Sequence, residues 1–321
     1  MSLRKRLSGL LIGVSLLSAL GAAADTEHPR AGAFEAQRAM QHIHALLAWV
    51  PRSMGSPGHA RALEYIEEQL RSDPHIELVR QNWAELAPDG QTTGMTNLIA
   101  RLNPQLKQRV LLATHYDSIV RAYRDPDPTR RSLPMPGANN SASGVAVLIE
   151  MARVLSHERP PVGVDFIFFD GEEGPLSLGA GDRNWRALGS PYFGKHIGEL
   201  YGSRLPELAL VFDMVCKRDI RLYPERSSLE SAPKGIEALW GIGKRLAPAN
   251  FLISPPTGVV LDDQTALAGL GIPSILLIDF NYEPWFNTTE DTEDKCSQES
   301  LQAVGGAATA FTLSQLRGAG H

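Results

Sequence analysis

The stretch that most constrains the fold is the segment 110–155, which joins an apolar run, a polar loop and a helical pattern. Residues 110–113 are apolar and bounded by polar residues, as in a fully buried strand. His115 and Asp117 follow, two positions apart and therefore on one side of an extended chain. Residues 138–144 open the helix. Polar side chains thus collect at a strand end and a helix start, where open α/β sheets place their chemistry.

Strand-like and helix-like segments alternate along the rest of the chain. Strand-like runs fall at 76–86, 95–103, 110–115 and 164–169. Residues 209–224 predict a further strand that carries Asp213 and leave room for a short one after it, and residues 261–280 predict a short helix and another buried strand. Helical patterns fall at 34–50, 59–71, 141–155, 232–247 and 297–316. The first two strands read as an antiparallel pair around a turn. The order predicts an α/β fold with three layers, in which helices flank a mixed, mostly parallel central sheet.

The N-terminus carries the three regions of a secretory signal. Basic residues 4–6 precede an apolar run over 7–20 and the small residues 22–24. The apolar run is shorter than the roughly 20 residues that a membrane span needs. We therefore expect a signal peptide over residues 1–24, a single domain over 25–321, and a periplasmic or secreted protein without a stable membrane anchor.

Charge and cysteine content limit the function classes. The formal net charge is −5 and the basic residues are scattered, which excludes a basic footprint for nucleic acid. The two cysteines, Cys216 and Cys296, are too few for a disulfide framework. In an oxidising compartment they form either one bridge or two free thiols, and the sequence leaves both open.

Five loops at predicted strand ends carry polar side chains. They are His115 with Asp117; Asn139 with Asn140; Asp170, Glu172 and Glu173; Asp213; and Asp262, Asp263 and Asn287. A single acid of this kind is explained by helix capping or loop solvation. The whole set predicts a functional cleft, because like charges in a partly dry site raise one another's pKa unless cations or water balance them.

Six strings, taken in order, carry a family resemblance: HYDS, PGANNSASG, FFDGEEG, FDMV, LDDQTALAGLGIP and WFNTTEDTEDKCS. Together they resemble the bacterial zinc-dependent aminopeptidase and glutaminyl-peptide cyclotransferase family, over residues 34–316. The resemblance implies a mostly parallel sheet with zinc at the strand ends. It also implies that the substrate or ligand is a peptide or protein N-terminus.

The resemblance assigns roles to five acidic or imidazole side chains. His115 corresponds to a metal-ligand histidine of the two-zinc aminopeptidases, Asp213 shares that metal, and Glu173 ligates the other zinc. Glu172 corresponds to the general base, and Asp262 to an acid that the cyclases use in proton handling.

Three positions depart from the family pattern. Asn140 stands in place of an aspartate ligand, Asn287 in place of a histidine ligand, and Gln264 in place of the histidine that follows the paired aspartates. A neutral carboxamide offers zinc a weaker oxygen than a carboxylate and no imidazole nitrogen.

These departures leave two functions open, and with them the question of whether the chain is an enzyme. The first is an exported, zinc-dependent aminopeptidase or glutaminyl cyclotransferase. The second is a metal-poor pseudoenzyme that binds peptide amines or small cations in the acidic cleft. In both, we expect one cleft to hold the catalytic candidates Glu172 and Asp262 and the metal-ligand candidates His115, Asn140, Glu173, Asp213 and Asn287.

Overall fold

The computed structural model describes residues 34–86, 90, 92–158, 160–174 and 185–318, with side chains up to residue 314. The predicted signal peptide and its cleavage after Ala24 lie outside these residues. Among the helices that are described, none is both long and apolar enough to cross a membrane.

Six strands form one sheet. They are β1 (Ile76–Leu86), β2 (Thr92–Leu102), β3 (Arg109–His115), β4 (Gly163–Phe169), β5 (Leu208–Phe212) and β6 (Ser274–Leu277), in the spatial order β1-β2-β4-β3-β5-β6. β1 pairs with β2, and β2 with β4, in antiparallel fashion. The pairs β3–β4, β3–β5 and β5–β6 are parallel. The predicted mixed, mostly parallel sheet is confirmed.

Helices cover both faces of this sheet. They are α1 (Ala36–Leu47), α2 (Pro57–Arg71), α3 (Ser143–Glu158), α4 (Gly189–Lys195), α5 (Ile197–Tyr201), α6 (Arg226–Ser231), α7 (Pro233–Leu246), α8 (Asp263–Gly269) and α9 (Gln298–Gly318). Alternation along β3 explains the layers, because Leu112 joins the core under α1, α3 and α9, whereas Leu111 joins the core under α4 and α8. Both faces of the central strands are therefore buried, as their continuous apolar sequence indicates.

The helix predicted from residue 141 begins two residues later, at Ser143. Residues 138–142 form a wider turn, in which Asn140 has the non-helical angles φ −106° and ψ 92°. The Asp291 carboxylate accepts the backbone N–H groups of Asn139 at 2.9 Å and of Asn140 at 3.1 Å. This distant partner satisfies donors that the helix would otherwise leave open, so the turn is stable outside the helix.

The structure also decides the state of the cysteines. Cys216, beyond the end of β5, and Cys296, before α9, form a disulfide. The backbone N–H of Cys216 donates to Oδ1 of Asn139 at 2.9 Å. The bridge therefore lies directly behind the turn that carries Asn140.

Truncating the centre of β3 should cost much of the stability. Leu112 is fully buried, and its neighbours on adjacent strands are Phe166 and Leu210. Leu112→Ala should lower the free energy of unfolding by about 3 kcal/mol, because it removes buried methyl groups and leaves a cavity. Urea unfolding measures the loss. Leu86→Ala is the matched control, since Leu86 is exposed and its truncation should change little; similar losses in both variants would contradict the assignment of the core.

Candidate functional site

A cavity of about 620 Å³ opens at the C-terminal ends of the parallel strands. Its polar lining consists of Asn140, Glu172, Glu173, Asp213 and Asp262. Its other walls are mainly apolar and come from residues 257–261, Trp185, Ile278, Phe280 and Phe286. The cavity therefore combines an acidic floor with a hydrophobic rim.

His115 ends β3 and is buried beside this floor. Its Nε2 lies 3.2 Å from Asp213 Oδ1, and its Nδ1 lies 3.4 Å from Asp117 Oδ1 and 3.9 Å from Glu172 Oε2. Burial alone would lower the pKa of His115, but the hydrogen bonds with Asp117 and Asp213 and the charge of Glu172 outweigh it. The pKa is held well above its ordinary value. The ring is thus a cation among carboxylates.

The turn after β4 carries Glu172 and Glu173. Gly171 makes this turn with φ +67°, a left-handed backbone conformation that favours glycine because a side chain there would be strained. The Asp117 carboxylate accepts the backbone N–H of Glu172 at 3.0 Å and of Glu173 at 3.1 Å. Burial raises the pKa of Glu172 well above its ordinary value and raises that of Glu173 to about 8.

Asn140 is hydrogen-bonded to two candidate ligand residues. Its Nδ2 donates to Glu173 Oε1 at 2.7 Å and to Asn287 Oδ1 at 3.4 Å. Nδ2 of Asn287 in turn donates to the Tyr123 hydroxyl oxygen at 3.3 Å. Oδ1 of Asn140 is buried and has no hydrogen-bond partner among the residues described. One acceptor of the carboxamide therefore has no partner in the described part of the chain, although the residue lies beside the cavity.

Asp262 caps α8 and accepts the backbone N–H of Asp263 at 2.5 Å. Burial, followed by the charge of Asp213, raises the pKa of Asp262 well above its ordinary value. Gln264 is the second residue of the same helix, and its Nε2 donates to the Val260 carbonyl at 2.8 Å. Gln264 thus stabilises the start of the helix. Its side-chain N–H makes this contact to the Val260 carbonyl and not to a candidate ligand or catalytic residue.

The structure brings together all seven residues that the sequence singled out. Five line the cavity, His115 contacts two of those five, and Asn287 contacts Asn140. Two groups behind them escaped sequence reasoning. Asp291 holds the turn of Asn139 and Asn140, and the buried Arg52 donates to the carbonyls of Pro136 at 2.9 Å and Gly137 at 2.8 Å. Each acts across at least 84 residues of sequence, which no local pattern reveals.

The model of peptidase family M28 matches residues 97–312, which is more than half of the chain and includes all seven candidates. The chain belongs to this family. The resemblance inferred from the motifs is therefore confirmed.

Among curated M28-like relatives, a glutaminyl-peptide cyclotransferase-like protein of Bos taurus is 27% identical over 275 residues, which cover 76% of this chain and 67% of the relative. The solved glutaminyl cyclase of Porphyromonas gingivalis superposes with a TM-score of 0.80 at 27% identity, covering 88% of this chain and 99% of that one. A Zn-dependent exopeptidase from Parabacteroides distasonis gives 0.78 at 27% identity, covering 86% and 97%. These matches agree with the observed sheet and its flanking helices.

The Parabacteroides distasonis exopeptidase is described as Zn-dependent, but the donors in this chain do not fit zinc. Within the described ranges, no group of three or more His, Cys, Asp or Glu side chains is arranged to hold a metal ion. His115 and Asp213 form one pair, whereas Glu173 is bonded to the neutral amide of Asn140. Catalytic zinc sites take three protein ligands drawn from imidazole, thiolate and carboxylate groups. The N–H of Asn140 points its positive end at the carboxylate that zinc would use.

Proposed function

We propose that this chain is an exported member of family M28 that binds the amino terminus of a peptide or protein in its acidic pocket without zinc. The hydrogen bond from Asn140 Nδ2 to Glu173 Oε1 carries the proposal. It joins two residues at family ligand positions to each other, and the remaining carboxyl groups of the floor face the cavity, where a ligand can contact them.

An α-ammonium group supplies a second cation to this floor, where the His115 ring already lies against Asp213 and Glu172. Glu172, Glu173, Asp213 and Asp262 all offer carboxyl oxygens to the cavity, and Oδ1 of Asn140 is an unpartnered acceptor beside them. A charged hydrogen bond is roughly twice as strong as a neutral one, which favours an ammonium over an amide nitrogen. The cavity volume of about 620 Å³ is that of a typical small-ligand site, so it accommodates the first residues of a peptide.

The names of two relatives support the choice of ligand. One is a glutaminyl-peptide cyclotransferase-like protein and the other is a Zn-dependent exopeptidase, so both are named for peptides.

Export is proposed from the charged, apolar and small-residue regions of residues 1–24, with residues 25–321 as the mature domain.

A second candidate is the zinc-dependent aminopeptidase or cyclotransferase reaction. One observation favours it: His115 and Asp213 remain paired at 3.2 Å, with Glu172 close to the same imidazole. In that reading, Glu172 would be the general base and Asp262 would assist proton transfer.

Calorimetry with a matched peptide pair separates the candidates. In the presence of a chelator, the mature protein should bind a peptide with a free amino terminus at least about 10-fold more tightly than the same peptide N-acetylated, because acetylation removes a charged hydrogen-bond donor. Glu173→Gln should remove most of this preference. Glu64→Gln, an exposed acid on α2, is the control and should retain it.

Two outcomes would contradict the proposal. One is equal affinity for the free and the acetylated peptide. The other is turnover of an N-terminal substrate with added zinc that Glu172→Gln abolishes, which would establish the second candidate instead.

A further inference from the structure

His59, in the first turn of α2, is joined to the root of the glutamate turn. Its Nε2 lies 2.7 Å from Asp170 Oδ1, and the exposed fractions of the two side chains are 8% and 0%. The imidazole also stacks on the ring of Tyr116, with centroids 5.0 Å apart and planes 8° apart. Burial would lower the pKa of His59, but the hydrogen bond and charge of Asp170 raise it above its ordinary value. The contact is therefore a charged hydrogen bond in a dry environment.

Asp170 connects several elements of the site. Besides His59, its carboxylate accepts the backbone N–H of Thr96 at 2.7 Å and the hydroxyl of Tyr116 at 2.9 Å. Its own N–H donates to Oδ1 of Asn97 at 3.0 Å. These bonds tie β2, the loop after β3 and α2 to the residue that directly follows β4. Since Gly171 comes next, Asp170 fixes the root of the turn that bears the pocket glutamates.

The start of α2 is built so that His59 reaches this position. Ser56 caps the helix, accepting the N–H of His59 at 3.1 Å and donating its hydroxyl to the Pro51 carbonyl at 2.7 Å. A Cβ on Gly58 would lie within 2.2 Å of two backbone carbonyl oxygens, so only glycine fits there. The breaker-rich segment 51–58 thus does more than separate two helices, because it sets the place of His59.

We propose that His59 is a positioning residue of the pocket: by its hydrogen bond to Asp170, it sets the direction in which Glu172 and Glu173 face a bound amino terminus. Two supports converge on the same turn, Asp170 at its root and Asp117 at its tip. Tyr116 lies between His115 and Asp117 in sequence, so His59 touches the chain that carries the second support as well. The effect on a ligand rests on the proposed function, whereas the effect on the turn does not.

Two variants separate the hydrogen bond from the ring. His59→Phe keeps a flat ring for stacking but has no N–H for Asp170, whereas His59→Gln keeps an N–H donor and loses the ring. Two quantities are measured for each: the ratio of affinities for the free and the N-acetylated peptide, and the amide hydrogen-exchange rates of Glu172 and Glu173. The melting temperature of each variant is measured first, to check that it is folded under the conditions used.

In the Phe variant, the ratio of affinities for the free and the acetylated peptide should fall about 10-fold, and the amides of Glu172 and Glu173 should exchange faster. In the Gln variant, the affinity ratio and the exchange rates should both stay within about 3-fold of those of the unaltered protein. Unchanged exchange and affinity in the Phe variant, or equal loss in both variants, overturns the proposal. If the unaltered protein does not distinguish the two peptides, the proposed function fails, and the exchange rates alone decide the positioning role. Should the Phe variant not fold, Tyr116→Phe is used in its place, because it removes another hydrogen-bond donor to Asp170. If the amides of Glu172 and Glu173 exchange at unchanged rates in Tyr116→Phe, the bonds to Asp170 do not hold the turn and the proposal is overturned.

Discussion

Replacing Asn140 by aspartate and Asn287 by histidine should raise the zinc content of the purified protein from a small fraction of an ion to a full ion per chain. The two changes would place a carboxylate and an imidazole beside Glu173, which Asn140 already contacts at 2.7 Å. Three such ligands and one open position form the usual catalytic zinc site. Because changes behind the ligands alone alter metal affinity by about 10-fold to 100-fold, restoring two ligands should tighten zinc binding by at least roughly 100-fold.

Elemental analysis and competition with a chromophoric chelator measure this gain. Asn139→Asp combined with Asn287→His is the matched control, because it adds the same charge one residue away from the position that lines the cavity. Oδ1 of Asn139 accepts a backbone N–H, a role that a carboxylate retains, while its Nδ2 has no partner among the described residues. The control should stay poor in zinc. Stoichiometric zinc in the unaltered protein would refute both the prediction and the zinc-free proposal.

Removing the disulfide should produce the largest loss of stability. Cys216 and Cys296 are 80 residues apart in sequence, and cross-linking a loop of that length restricts the unfolded chain by about 4 kcal/mol. We expect Cys216→Ala/Cys296→Ala to lose about that much free energy of unfolding. The bridge also supports the site, because Cys216 donates to Asn139 and the N–H of Ser297 donates to the Cys216 carbonyl at 2.9 Å.

Urea unfolding with and without a thiol reductant measures the effect. Both cysteines are buried, so the alanine substitutions remove packed sulfur atoms as well as the cross-link. Unfolding the unaltered protein under reducing conditions keeps the sulfur atoms and therefore isolates the contribution of the cross-link. Reductant should destabilise the unaltered protein and leave the double variant unchanged. An unfolding midpoint of the unaltered protein that does not move with reductant would show that the two thiols are not bonded.

The sequence by itself determined the sheet and the place of the chemistry. Residues 110–113 are apolar without interruption, and residues 164–169 are apolar apart from Asp165, because both faces of β3 and β4 are buried. Parallel strands end at one edge of the sheet, so the sequence predicts that His115, Glu172, Glu173 and Asp213 lie together, as they do. The residue types at Asn140 and Asn287 likewise revealed, from sequence, a donor set poor in zinc ligands.

Only the tertiary structure decided which side chains are partners. Asn140 and Glu173 are 33 residues apart, His59 and Asp170 are 111 apart, and Asn139 and Asp291 are 152 apart. The start of α3 and the state of the cysteines also depend on distant partners, which are the Asp291 carboxylate for the helix start and the second thiol for each cysteine. The hydrophobic periodicity of a segment indicates which of its faces packs against the core. A hydrogen bond depends on positions to within a few tenths of an ångström, and these exist only once the segments have packed.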